Sequence, residues 1–186
     1  EINNTIINNG TLTITDSVGS GMITNTYATA DKYIIYNTAT GTMTLNGDNN
    51  FTVRGNSTNV NQRIIQSLGT LTLNKGTLEQ AGALASGQSG YRYIIENSTD
   101  TTVNGAIIQT TSNSTNTSDR GIAVRGSATL TISSGTINTK GAAVISTSTA
   151  STEEKPALLV TGGTITSTGA NGIISAGGDG GLLCIK

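Results

Sequence analysis

The chain has 186 residues and a formal net charge of −1, and only 11% of its residues are charged. It has no histidine and one cysteine, which excludes histidine-based catalysis and an internal disulfide bond. One phenylalanine, no tryptophan and 3% aromatic residues exclude a core built on large rings. We expect neither nucleic-acid binding nor membrane insertion, because no basic run and no apolar stretch of membrane length occurs.

An alternating phrase of glycine, threonine and aliphatic residues recurs along the chain. Its clear copies are residues 10–14, 41–45, 69–73 and 128–132, and weaker copies lie at 101–103, 156–160 and 181–185. Counted between equivalent positions of the phrase, successive copies lie about 25–31 residues apart. A nearly constant period in this range is typical of a repeat architecture.

Two further apolar phrases recur in step with the first. An Ile-Ile phrase precedes it at residues 6–7, 33–35, 63–65, 93–95, 121–124, 143–145 and 172–174. A Gly-Thr-Ile phrase follows it at 76–78, 105–107, 135–137 and 163–165, with drifted copies at 22–24 and 51–53. In the alternating phrase, the aliphatic residues share one face of a strand and the threonines share the other. Each repeat therefore predicts three short strands.

Short strands of this kind bury their apolar faces by winding around a common core. The predicted fold class is all-β: a single-stranded right-handed parallel β-helix (a solenoid) of about six coils, each of roughly 25–31 residues with three short strands. Right-handedness is the usual sense of a parallel crossover. Residues 1–186 are predicted to form one β-solenoid domain, either a segment of a longer surface protein or a stacking subunit. Segments 112–118 and 146–155 are predicted to be loops that leave the rod.

The three phrases, set among Asn, Thr, Ser and Gly, resemble those of right-handed β-helix proteins on bacterial surfaces. That group includes pectate-lyase-like adhesins and autotransporter-passenger-like proteins. The resemblance implies an extracellular module, at the cell surface or secreted, that acts without catalysis as a stalk, filament unit or adhesin. One alternative from the same group is a polysaccharide-active lyase or hydrolase, which needs acidic residues from different coils on one face. A weaker alternative is an ice-binding solenoid with outward threonine pairs as its ordered surface.

The acidic residues do not form a pattern that predicts catalysis or metal binding. Asp16 and Asp48 follow equivalent strands and are interpreted as turn residues. Glu153 and Glu154 form the acidic doublet, which is interpreted as a solvated loop tip. We therefore expect no catalytic residue, no metal site, no cofactor and no enzymatic activity.

A basic residue tends to stand just before the Ile-Ile phrase, with tyrosines beside it. In a stacked solenoid these residues would line one edge, either as a solvated and partly neutralised row or as a groove for an anionic glycan or host surface. The candidate glycan-binding residues are Lys32, Arg63, Arg92, Arg120, Lys140, Tyr33 and Tyr93.

The two ends of the rod are a second candidate surface. In the register of the earlier copies, Leu183 and Ile185 point inward, and Leu182 and Cys184 take the outward threonine positions. Unpaired strand edges at solenoid ends favour either further coils or head-to-tail self-association. The candidate contact residues are Ile2, Ile6, Leu182, Cys184 and Ile185.

Overall fold

The structure is a computed structural model. It describes residues 4–25, 33–48, 50–84, 90–112, 117–169, 172–176 and 181–186. These residues form strands, turns and irregular segments but no helix, so none of them belongs to a helix able to cross a membrane. The strands are β1 (Ile6–Asn8), β2 (Thr11–Thr15), β3 (Met22–Asn25), β4 (Tyr33–Asn37), β5 (Thr42–Asn46), β6 (Thr52–Gly55), β7 (Arg63–Ser67), β8 (Thr70–Lys75), β9 (Thr77–Gln80), β10 (Arg92–Asn97), β11 (Thr101–Thr110), β12 (Asp119–Val124), β13 (Leu130–Thr139), β14 (Val144–Ser146), β15 (Leu158–Val160), β16 (Thr164–Ser167), β17 (Ile174–Ala176) and β18 (Leu183–Ile185).

The strands stack into three columns, and every pairing between them is parallel. The Ile-Ile phrases form the first sheet, in the order β1-β4-β7-β10-β12-β14-β17. The alternating phrases form the threonine column, in the order β2-β5-β8-β11-β13-β15-β18. The Gly-Thr-Ile phrases form the third column, which runs through β3, β6 and β9 to the second halves of β11 and β13 and then to β16. The predicted β-solenoid with three strands per coil is confirmed.

The core is a column of mostly aliphatic side chains enclosed by the three columns of strands. The inward positions of the threonine column are fully buried in the middle coils, as at Met43, Leu71 and Leu130, while Thr42 and Thr70 are exposed. Two consecutive isoleucines in a strand of the first sheet, such as Ile94 and Ile95, are both buried. The predicted alternation of aliphatic and threonine faces is confirmed in these coils.

The weak copy at residues 101–103 is a fully paired part of the sheet. Thr101 aligns with Leu71 on one side and Leu130 on the other, so a threonine occupies a core position. Its hydroxyl is buried and has no hydrogen-bond partner. Here and in the next coil, β11 and β13 run through two columns as single ten-residue strands, where the sequence predicted two short strands each.

Glycines allow the chain to bend between the threonine column and the third column. The glycines that open the Gly-Thr-Ile phrases all have positive φ, which L side chains rarely adopt. Those φ angles are 105° at Gly76, 125° at Gly105, 102° at Gly135 and 88° at Gly163. The Gly-Thr-Ile phrase is therefore a corner signal as well as a strand signal.

A stack of polar side chains lies at the corner that follows the first sheet. Asn8, Asn37, Ser67 and Asn97 occupy one register position in successive coils and are all buried. Asn8 Nδ2 donates to Asn37 Oδ1 at 2.8 Å, and Asn37 Nδ2 donates to Ser67 Oγ at 3.0 Å. This polar ladder connects the corners of neighbouring coils with hydrogen bonds that the sequence analysis did not predict.

The structure covers the predicted loop at residues 146–155 completely and the one at 112–118 only in part. Residues 113–116 of the latter lie outside the described residues. The loop at 146–155 has no strand between β14 and β15, and Ser151 and Pro156 form an isolated bridge there.

Candidate functional site

The outer face of the first sheet carries a stack that alternates tyrosine and arginine. Tyr33 of β4 aligns with Arg63 of β7, Arg63 aligns with Tyr93 of β10, and Tyr93 aligns with Arg120 of β12. The guanidinium of Arg63 lies between two rings, with Cζ 5.9 Å from the Tyr33 centroid and 5.8 Å from the Tyr93 centroid. Aromatic neighbours therefore separate the positive charges, which would repel one another in a stack of basic residues alone.

Glu96 further neutralises this face by bridging two arginines. Arg63 Nε donates to Glu96 Oε2 at 2.6 Å, and Arg125 Nε donates to Glu96 Oε1 at 3.0 Å. The Arg125 guanidinium also lies 5.6 Å from the Tyr93 centroid. Arg125 belongs to this cluster although sequence reasoning missed it, because it follows β12 instead of preceding an Ile-Ile phrase.

Arg92 does not lie on the predicted edge. It aligns with Asp119, one residue out of step with the tyrosine–arginine stack, so its side chain points inward, where it is 1% exposed. Its Nε donates to Asp119 Oδ1 at 2.7 Å, and its terminal nitrogens donate to the carbonyl oxygens of Ser57 and Gly82. Ser112 Oγ donates to the other Asp119 oxygen at 2.9 Å. Arg92 therefore links neighbouring coils from inside the rod, and the prediction that it lines the basic edge is wrong because its side chain is buried.

Arg120, near the start of β12, contacts an aromatic ring where Arg92 forms an ion pair. Its guanidinium lies on the ring of Tyr91, with Cζ 3.2 Å from the ring centroid. Lys140 is partly buried after β13, and its backbone N–H donates to Thr110 Oγ1 at 2.9 Å. Lys32 lies outside the described residues.

The end-contact candidates lie at the two ends of the stack, except Ile2, which is outside the described residues. Ile6 of β1 aligns with Ile35 and is partly buried. At the other end, β18 pairs with β15 in the predicted register, with Cys184 opposite Leu159. Leu182 and Cys184 are partly buried, whereas Ile185 is 70% exposed although its register position is an inward one.

A shallow polar cleft of about 290 Å³ lies beside the corner before β11. Lys155 Nζ stands 3.7 Å from Asp100 Oδ1 there, and both side chains are largely exposed. The lining residues are Thr70, Ser98, Thr99, Asp100, Ser127, Ala128 and Lys155.

Within the described part of the chain, no group of three or more cysteine, aspartate or glutamate side chains is placed to hold a metal ion. Asp16 and Asp48 both accept backbone N–H groups two residues ahead, at 3.0 Å from Val18 and 2.8 Å from Asn50. Their geometry is that of the turn residues predicted from the sequence.

The comparisons with known proteins give no relative for this chain. No family model, no curated protein and no solved structure matches it.

Proposed function

We propose that this chain is a non-catalytic structural or adhesive module of an extracellular bacterial surface protein. In this role the solenoid is a stiff spacer, and the outer face of the first sheet is its contact surface for glycans. The observation that carries the proposal is the stack of three columns of parallel strands around one largely aliphatic core, with tyrosines and arginines along one outer face.

The stack supports a spacer role because its length grows with each coil while its cross-section stays constant. The first sheet has seven strands, and strands stack about 4.8 Å apart, so the described coils span about 29 Å along the rod axis. Backbone hydrogen bonds run along the axis between coils, which favours resistance to bending and stretching.

The tyrosine–arginine face supports a contact role because it combines ring surfaces with hydrogen-bond donors. Arg63 and Arg125 both pair with the carboxylate of Glu96, and their guanidinium groups lie beside the Tyr93 ring. Arg125 is one-third exposed and Tyr33 is partly exposed, whereas Tyr93 is only 8% exposed. Tyr93 therefore packs between the arginines and offers little ring surface to a ligand.

An adhesion assay tests this function. Beads coated with the purified chain are washed over surfaces bearing acidic and neutral polysaccharides, and polymer length is measured in parallel with and without Ca²⁺. We expect retention of the beads with no shortening of the polymer. Calcium-dependent shortening would instead assign the chain to the polysaccharide lyases, and washing off from every surface would refute the adhesive role.

End-to-end self-association is a second candidate, which the exposure of the end coils favours. Leu183 and Ile185 take the inward positions of β18, yet they are 44% and 70% exposed. At the other end, Leu12 and Ile14 are only partly buried in the same column. Light scattering over a range of concentrations should show growing particles for the chain and smaller ones for Ile185→Lys. A constant monomer mass would exclude this contact.

A further inference from the structure

We propose that β18 forms an antiparallel strand pair with β18 of a second copy of this chain, with Cys184 at the centre of the pair. This inference rests on the second candidate function, end-to-end self-association, and names the end that pairs and its partner. β18 is the terminal strand of the threonine column, and within the described residues it pairs with β15 alone. The edge of β18 opposite β15 is called its free edge.

The backbone hydrogen bonds of β18 show which residues face the free edge. Lys186 N–H donates to the Val160 carbonyl oxygen at 2.9 Å, and the Leu182 carbonyl oxygen accepts an N–H of β15 at 3.2 Å. Successive residues of a strand direct their N–H and C=O groups to opposite edges. Leu183 and Ile185 therefore direct theirs to the free edge, which presents two donors and two acceptors to a partner strand.

The same two residues carry the largest uncovered part of the core at either end of the threonine column. The register with β15 places Leu183 and Ile185 in inward positions, yet they are 44% and 70% exposed. Leu158, which aligns with Leu183 one coil earlier, is 2% exposed. At the opposite end, Leu12 and Ile14 pack against the core and are partly buried. The apolar surface that a partner would cover is larger at the β18 end, which favours a contact between two β18 ends.

An antiparallel pair centred on Cys184 would occupy both the backbone groups and the apolar side chains. It places Leu183 opposite Ile185 of the second copy, and Ile185 opposite Leu183 of the second copy. Each opposite pair exchanges two N–H···O=C bonds, and the aliphatic side chains meet on the core side of the sheet. The two cysteines then form the pair without mutual hydrogen bonds, with Cα atoms about 4.5 Å apart, a distance that a disulfide bond can span.

The charges near β18 are compatible with this pairing. The strand itself carries no charged residue, and Lys186 lies two positions beyond Cys184. In the antiparallel pair the two lysines lie four positions apart, about 14 Å at the rise of a strand, which exceeds the Debye length of about 10 Å at 0.1 M salt. The contact is small, so we expect a weak dimer. Because a two-fold contact closes on itself, particles grow from one chain to two and no further.

Oxidative cross-linking and light scattering test the pairing together. Dioxygen with a copper phenanthroline catalyst oxidises two Cys184 thiols to one disulfide and takes up their two protons and two electrons as hydrogen peroxide. We expect a disulfide-linked dimer on a non-reducing gel and a light-scattering mass that rises with concentration to two chains. Cys184→Ser should lose the disulfide and keep the two-chain mass, because the backbone pairing does not need the thiol.

Ile185→Pro separates the strand pair from the fold of the rod. Proline lacks the N–H that residue 185 directs to the free edge, and the bonds to β15 stay in place. Dimerisation should weaken about tenfold or more, because each copy loses one hydrogen bond, and the disulfide should form more slowly. Ile185→Val is the matched control, since it keeps both the N–H and an aliphatic side chain and should dimerise like the parent chain.

Thr42→Cys in the Cys184→Ser background is the control for random collisions. Thr42 is exposed on β5, whose two edges are already paired with β2 and β8, so this chain should form far less disulfide. Disulfide formation that is equally fast in this chain or in Ile185→Pro would overturn the pairing.

The mass separates the failure of this pairing from the failure of self-association. Particles that keep growing without a Cys184 disulfide would overturn the pairing of like ends and leave self-association between unlike ends. A constant monomer mass without a disulfide would overturn both, and the bead assay then judges the adhesive function separately.

Discussion

The buried amide of Asn37 acts as a hydrogen-bonding link between three coils. Its Oδ1 accepts from Asn8 at 2.8 Å, and its Nδ2 lies 3.0 Å from both Ser67 Oγ and the Thr70 carbonyl oxygen. The side chain is 0% exposed, so water cannot replace these partners. The corner thus satisfies polar groups inside the rod that a purely aliphatic residue would leave unpaired.

Asn37→Ala should lower the free energy of unfolding by about 2–3 kcal/mol, because it leaves buried partners without hydrogen bonds. Urea denaturation monitored by circular dichroism measures this loss. Asn46→Ala is the control, since Asn46 is exposed at the end of β5, and it should change stability by no more than about 0.5 kcal/mol. Equal losses in the two variants would contradict the role of the polar ladder.

Asp16 stabilises the turn between β2 and β3 through its carboxylate. Gly21 N–H donates to Oδ2 at 2.8 Å and Val18 N–H donates to Oδ1 at 3.0 Å. The Gly21 bond, followed by the Val18 bond, lowers the pKa of Asp16 below its ordinary value. Because the folded-state pKa is the lower one, the stabilisation is present above the ordinary aspartate pKa and is lost as pH falls through the folded-state pKa.

Asp16→Asn should therefore be less stable than the parent chain near neutral pH, and the difference should shrink in acid. Denaturation at about pH 6 and about pH 2.5 compares the two regimes. A carboxyl titration by NMR should place the pKa of Asp16 below the ordinary aspartate value. A stability difference that is constant or grows on acidification would contradict this account.

At the scale of the element, the corner glycines decide where one strand column ends and the next begins. Gly105 lies within β11 with a φ of 125°, and a Cβ there would stand 2.4 Å from the Asn74 carbonyl oxygen of the neighbouring coil. Both the backbone conformation and the close approach of the neighbouring coil therefore require glycine.

Gly105→Ala should destabilise the chain by about 1–3 kcal/mol or more, through backbone strain and the clash with residue 74. Thermal and urea unfolding measure the effect. Gly10→Ala is the control, because a Cβ at Gly10 meets nothing within 4 Å and its φ is outside the positive region. If both variants unfold alike, the corner does not depend on glycine.

The sequence predicts the elements well because each coil repeats the same local requirements. Periodicity assigned the three columns and the inward aliphatic positions, and it even placed Cys184 opposite Leu159. It failed for Arg92, because a one-residue offset reverses the direction of a side chain in a strand and the pattern of basic residues does not fix that offset. The pairing of Arg125 with Glu96 was also missed, because it depends on which residues of different coils become neighbours.

The residues that form the polar ladder recur at a regular position in the sequence. An asparagine or serine follows each of the first four Ile-Ile phrases, at positions 8, 37, 67 and 97. Such residues are also common in turns, so composition alone favours a solvated turn. Only the stacking of coils places these side chains above one another and buries them.

At the scale of the whole molecule, the stack behaves as a nearly one-dimensional array in which each coil contacts its two neighbours. Leu71 is fully buried and has strand partners on both sides, Met43 and Thr101. Leu12 belongs to the first described coil, pairs with Met43 on one side, and is only partly buried. Stability in such an array is a sum of coil terms and interface terms, so the position of a substitution matters as much as its chemistry.

Leu71→Ala should therefore cost about 2–5 kcal/mol, since it opens a cavity in the middle of the column, and Leu12→Ala should cost clearly less. Native-state hydrogen exchange separates the two effects further. Leu12→Ala should speed exchange mainly in the first coil, because an end coil can open without its neighbours. Leu71→Ala should speed it in coils on both sides, because opening a middle coil breaks two interfaces. Equal and global effects of the two variants would mean that the rod unfolds only as one unit, which would contradict the description of the stack as a one-dimensional array.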